Sequence, residues 1–145
     1  MSKVSIYLNF KNQAEEAFLF YQSVFGGEFV GGMMRMSDAP HGEGDAQMSE
    51  SEKNLVLHVT LPILGGFELM GSDVPESMHF KLSPGNNMSI NLQPDTRAEA
   101  DRLFAALSAG GTVDMPMQEM FWGDYFGNFT DKFGVLWMIA CASKE

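Results

Sequence analysis

The chain has a single cysteine, Cys141, and nine basic residues against nineteen acidic ones in 145 positions. One cysteine excludes an intrachain disulfide framework and a cysteine-rich zinc site. The formal charge of −10 comes without any cluster of Lys and Arg. A nucleic-acid binder needs such a cluster to displace counterions, and the net field here repels DNA and anionic membranes. No apolar run reaches the length of a membrane span. The residues after Met1 lack the basic start and long apolar stretch of a signal peptide, so a cytoplasmic location is expected. Absent too are a nucleophile elbow, a P-loop, an HExxH motif and a Ser-His-Asp order. Cys141 has no cationic neighbour in sequence to lower its pKa, which argues against a nucleophilic role.

What is abundant is methionine and phenylalanine, twelve of each. Met is flexible and polarizable and suits irregular core gaps or adaptable binding walls.

A repeat organises the chain. In residues 4–10, Val4, Ile6, Leu8 and Phe10 alternate with Ser5, Tyr7 and Asn9, which predicts a half-buried strand. Asn12 stands three residues before Glu15, a capping-box spacing. Ala14, Ala17, Phe18, Tyr21, Val24 and Phe25 follow at helical spacing, Gly26-Gly27 ends the helix, and a strand is expected to resume near Glu28. A shift of 84 residues takes Ile6 to Ile90, Leu8 to Leu92, Asn12 to Thr96, Glu15 to Glu99 and Gly26-Gly27 to Gly110-Gly111. The shifted copy predicts a strand over 88–92 and a helix capped by Thr96 that runs through Leu107. Each half then ends in a glycine-turned hairpin, 55–61 with 67–71 and 125–130 with 135–140. The order is βαβββ twice, an α+β fold of modules at about 1–74 and 85–145, with 72–85 as linker. Residues 37–54, polar and glycine-rich with His41 among them, have no counterpart in the second half. A loop of that length reads either as a pocket lid or as a floppy connection.

The motifs carry a family resemblance. Tyr7-Leu-Asn-Phe10, Ala14-Glu-Glu-Ala17, Phe20-Tyr-Gln-Ser-Val-Phe-Gly-Gly27, Trp122-Gly-Asp-Tyr-Phe-Gly127, Asp131-Lys-Phe-Gly134 and Trp137 resemble the PhnB-like branch of the vicinal oxygen chelate superfamily. That superfamily includes glyoxalase I, bleomycin-resistance proteins and extradiol dioxygenases. The resemblance covers nearly the whole chain. It implies a single domain of two βαβββ modules whose sheets curl around a cavity, often as a homodimer. Names in this branch refer to a demethylubiquinone methyltransferase. Against that activity, no glycine-rich strand–turn–helix for a nucleotide-like cofactor follows any strand.

The resemblance also implies where a metal would sit, on the first and last strands of each module. Ser5, Met70, Ser89 and Met138 occupy those four points. Two hydroxyls and two thioethers are a poor set for a divalent ion, so no metal and no cofactor is expected. Thioethers suit Cu(I), but no imidazole accompanies them in this register.

Candidate ligand contacts lie on the polar faces. In residues 55–61, Leu55, Leu57, Val59 and Leu61 form the apolar face, leaving Val56, His58 and Thr60 on the other. His58 reads either as a general base or ligand contact, or as a histidine satisfied by a carbonyl or at a dimer seam. Tyr7, Asn9 and Asn91 read as groups that orient a ligand, or as a buried hydrogen-bond network. Trp122 and Phe126 can form a stacking wall or pack internally. Met70, Ser89 and Met138 complete the candidate set. Arg35 reads as a surface side chain on an edge strand, with neutralisation of an anionic substrate as the alternative. Trp137 reads as helix-facing core, and Asp73 and Asp131 as turn caps. Metal-independent binding of a small metabolite follows as the leading expectation. A metal-dependent lyase, isomerase or dioxygenase is the alternative.

Overall fold

Alternation and helical spacing lead to the elements they predict. The computed structural model describes residues 2–39, 49–142 and 144–145 and divides into two units, Met1–Ser83 and Pro84–Glu145. The first unit runs β1 (Ile6–Phe10), α1 (Ala14–Phe25), β2 (Met34–Arg35), α2 (Glu50–Lys53), β3 (Val56–Pro62) and β4 (Glu68–Asp73). The second runs β5 (Ile90–Leu92), α3 (Arg97–Ser108), β6 (Thr112–Glu119), β7 (Tyr125–Thr130) and β8 (Leu136–Cys141). Strand order is β1-β4-β3-β2 in one sheet and β5-β8-β7-β6 in the other. In both, the outer first strand pairs in parallel with the last and the remaining pairs are antiparallel. The repeat is therefore one of topology and not only of punctuation. Each module keeps its own open sheet.

Pairing register sorts the side chains. Leu8 stands beside Gly71, and Gly71 beside Val59, so these share one face with Phe10, Leu61 and Leu69. Helix α1 covers that face. A Cβ on Gly71 would lie 2.6 Å from the Phe18 ring and 2.9 Å from the Leu8 carbonyl oxygen. Gly71→Ala is thus expected to cost about 1–3 kcal/mol through overpacking, read as a lower denaturant midpoint. In the second unit, the rings of Phe104 on α3 and Phe129 on β7 meet edge-on at 4.9 Å. Trp137, Ile139, Leu103 and Leu107 are fully buried around them.

Several local expectations need correction. The strand expected near Glu28 shrinks to Met34–Arg35. Gly31 and Gly32, at φ of 73° and 78°, turn the chain out of extended conformation first. Asn12 does not cap α1. It is left-handed itself, at φ 62°, and the N-cap residue Gln13 makes no side-chain cap. Buried Asp73 serves instead, its Oδ1 accepting from the Gln13 and Ala14 amides at 3.0 Å each. Thr96 does cap α3, accepting from the Glu99 amide. The linker begins later than residue 72, because Ser72 and Asp73 belong to β4, and β5 begins at Ile90 rather than Met88. Within 37–54, Met36–Asp38 forms a 3-10 turn and Ser49 caps α2 in a capping box with Glu52. His41 lies outside the described residues.

Candidate functional site

The face of the first sheet opposite α1 gathers the predicted polar residues. Tyr7 on β1 is level with Met70 on β4, which is level with Thr60 on β3. Asn9 and Ser5 share this face by alternation, as does His58, and Met34 on β2 stands beside His58. Three polar contacts link the cluster. The His58 Nε2 lies 3.0 Å from the Thr60 Oγ1. Its Nδ1 lies 3.4 Å from the Tyr7 hydroxyl, at the weak end of hydrogen-bond geometry. The Ser5 hydroxyl donates to the Met70 sulfur at 3.6 Å. Thr60 is buried and Tyr7 is 47% exposed, so the imidazole spans from the sheet's interior toward its surface. Val56, expected on this face, is fully buried, and its amide donates to the Asp73 Oδ2 at 3.0 Å.

On the second sheet, Asn91, Met138, Asn128 and Met115 form one row across four strands. Phe126 shares their face two residues from Asn128. Ser89 is exposed and immediately precedes β5, and Asn91 is also exposed. Trp122, in the turn between β6 and β7, is 52% exposed. Its indole N–H donates to the Asp124 carboxylate at 3.1 Å, and its ring meets Phe126 at 6.5 Å. The stretch around it divides, because Tyr125 instead donates its hydroxyl to Asp101 on α3 at 2.6 Å. That hydrogen bond to a carboxylate raises the Tyr125 pKa.

Two polar residues on these faces were not singled out as contacts from sequence. Thr60 orients His58, and the Asn128 side-chain oxygen is buried with no hydrogen-bond partner among the described residues. Alternation carried the signal for both, since Thr60 shares parity with His58 and Asn128 with Phe126.

Arg35 is committed elsewhere. Its guanidinium donates to both Glu15 oxygens, at 2.9 and 2.6 Å, and to the Asn54 carbonyl. The hydrogen bond from Arg35 holds the Glu15 carboxyl below its ordinary range. A depressed carboxyl pKa contributes stability above the unfolded value that is lost as pH falls through the folded one. The pair is surface-exposed, so that contribution is about 0–1 kcal/mol. Asp131 and Trp137 behave as read: the Asp131 Oδ1 accepts from the Phe133 and Val135 amides, and its Oδ2 from the Trp137 indole at 2.8 Å. Cys141 is buried.

The donors at the four superfamily metal positions do not fit a divalent ion. Ser5 and Met70 come together, but as a hydroxyl bonded to a thioether. Among the described residues no group of three His, Cys, Asp or Glu is placed to hold a metal. A surface cleft of about 400 Å³ in the first unit, lined by Asn12, Ser49, Ser51, Glu52, Leu55 and Glu76, contains none of the candidate residues.

Comparison with known proteins gives these faces a family. The sequence model of the family described as 3-demethylubiquinone-9 3-methyltransferase matches residues 2–140. The chain belongs to this family. Among solved structures, protein PA1353 from Pseudomonas aeruginosa is 36% identical, covering 97% of this chain and 98% of that one, with TM-score 0.83. The putative 3-demethylubiquinone-9 3-methyltransferase, PhnB protein, from Bacillus cereus is 29% identical, covering 97% and 100%, with TM-score 0.74. A glyoxalase/bleomycin resistance protein/dioxygenase family enzyme from Burkholderia phytofirmans matches at 19% identity over 94% and 97%, with TM-score 0.61. At that identity the likeness concerns the fold, which is the glyoxalase/bleomycin-resistance fold expected from the motifs. The PhnB-like resemblance thus holds. Among the described residues no helix is long and apolar enough to cross a membrane.

Proposed function

We propose that this PhnB-like chain binds a small, partly aromatic or apolar metabolite without a metal cofactor, as a cytoplasmic homodimer whose two modules form one domain. The observation that carries the reading is the Tyr7–His58–Thr60 chain on the face of the first sheet opposite α1. A phenol and an imidazole held by a buried hydroxyl offer directional polar contacts beside the soft wall of Met70. Asn9 extends this set in the first unit. Asn91, Trp122, Phe126, Met138 and Ser89 are the proposed contacts of the second. His58 is the candidate proton-transfer group if a reaction accompanies binding. The match to one family across residues 2–140 supports treating both modules as one domain.

Methyl transfer is not part of this proposal. The strand-to-helix turns after β1 and β5, residues 11–13 and 93–96, contain no glycine, so neither offers the close backbone approach of a nucleotide-binding turn. A metal-dependent lyase, isomerase or dioxygenase is disfavoured by the hydroxyl–thioether donors. The acidic surface disfavours nucleic acid as a partner.

The reading is tested by a thermal-shift screen of metal-stripped protein against small metabolites, with hits confirmed by calorimetry. A specific ligand is expected to raise the melting temperature by mass action. His58→Ala is expected to weaken that ligand by about 1.5–3 kcal/mol, roughly ten- to a hundredfold. Hits that bind His58→Ala and Tyr7→Phe as tightly as wild type would remove the proposed site.

A further inference from the structure

One polar atom in the second unit stands out by what it lacks. Among the described residues, the Asn128 side-chain oxygen is buried without a hydrogen-bond partner. A buried acceptor left unpaired is destabilising, so such an atom calls for a role. Asn128 lies within β7, on the face opposite α3. Its chain neighbours Gly127 and Phe129 face the helix, where Phe129 meets Phe104 and a Cβ on Gly127 would lie 2.9 Å from the Phe104 ring. Cross-strand, Asn128 is level with Met115 on β6 and Met138 on β8, and Phe126 is its same-face neighbour toward the β6–β7 turn. None of these three side chains carries a hydrogen-bond donor. The Thr130 hydroxyl, two residues the other way, does not reach the oxygen either.

We propose that Asn128 is the specificity-determining residue of the second unit's ligand face. Its oxygen accepts from the N–H or O–H at the edge of a neutral aromatic ring, of the indole or phenol type, that stacks on Phe126. This rests on the reading that the chain binds a partly aromatic metabolite, and adds to it the donor that the metabolite carries. Residues i and i+2 of a strand stand about 7 Å apart on one face, a span that one ring with its edge donor bridges. Met115, Met138 and Phe126 are each part-exposed, and thioether chains rearrange easily, so a ring can move them aside to reach the oxygen. Asn91, Met138, Asn128 and Met115, the row across the sheet, are all neutral. An ammonium or guanidinium brought there would lose water without gaining a counter-charge, so the donor is a neutral one. The oxygen is already out of water in the free protein. Its bond to a ligand therefore replaces no bond to solvent, and contributes more than an exposed exchange would.

The test is an NMR titration of the full chain with two pairs of probes that differ in the donor, indole against 1-methylindole and phenol against anisole. Wild type is expected to bind the donor-bearing member of each pair about tenfold or more tightly than its methylated partner, with the Asn128 side-chain amide among the shifted signals. Asn128→Leu is expected to bind both members of a pair alike. Without any probe it is expected to melt higher than wild type, because the orphaned acceptor is gone. The proposal is overturned if wild type discriminates within neither pair, if Asn128→Leu discriminates as wild type does, or if that variant melts lower, which would mean that the amide is satisfied within the fold. Shifts confined to Tyr7, His58 and Met70 would overturn this assignment and leave the metabolite reading standing. No saturable shift on either sheet would sink both.

Discussion

Asp73→Ala is expected to destabilise the protein by about 3–5 kcal/mol, a large part of the roughly 5–15 kcal/mol typical of a domain. Asp73 is 4% exposed, and its two carboxylate oxygens accept three backbone amides: Gln13 and Ala14 at the start of α1, and Val56 at the start of β3. Alanine strands those donors, and each buried donor left unpaired costs about 1–3 kcal/mol. The loss also removes the cap of α1, a contribution of about 0.5–2 kcal/mol in itself. Asp73→Asn keeps one oxygen for the helix amides but places an NH₂ group against a second donor, so it is expected to fall between wild type and Asp73→Ala. Urea unfolding of the three proteins at constant m-value gives the ranking. Equal stability of Asp73→Ala and wild type would mean that the carboxylate does not tie helix to strand.

The second large effect is expected at Gly111. A Cβ placed there would lie 2.1 Å from the Thr130 carbonyl oxygen and 2.9 Å from backbone atoms of Asp131. Backbone cannot rotate away as a side chain does, so Gly111→Ala is expected to cost about 3 kcal/mol or more. Gly27, its counterpart in the first module, has nothing within 4 Å and φ of 78°. There the cost is conformational strain alone, about 1–2 kcal/mol. Gly27 and Gly111 match in sequence yet serve different ends, a free left-handed turn in one module and a close backbone crossing in the other. Parallel thermal melts decide the point, and a smaller loss at Gly111 than at Gly27 would contradict the packing described.

The same contrast separates what the sequence revealed from what it hid. Period-two alternation in Ile6–Phe10 and Val56–Pro62 correctly put Tyr7, Asn9, His58 and Thr60 on one face, because the pleat enforces it. Counting past the hairpin glycines also brought Met70 to the first strand, where Ser5 touches it. Long-range partners were invisible to such local rules. The Asn12–Glu15 spacing imitates a capping box, but the cap of α1 arrives from Asp73, about sixty residues along the chain. Glu15 is instead held by Arg35. Alternation placed Val56 with His58, whereas its position at the first residue of β3 draws it into the core. The pairing of Met34 with His58 depended on a two-residue strand with a register shift beside it, for which no periodic signal exists.

The central claim, ligand binding without a divalent metal on the face of the first sheet opposite α1, is tested most directly by NMR. Isotope-labelled, chelator-treated protein would be titrated with the strongest ligand from the metabolite screen. The account predicts saturable shifts concentrated at Tyr7, Asn9, His58, Thr60 and Met70, undiminished in the presence of EDTA. Shifts that cluster away from these residues and from Ser89, Asn91, Trp122, Phe126 and Met138, or that appear only after Zn(II), Ni(II), Fe(II) or Mn(II) is restored, would contradict it.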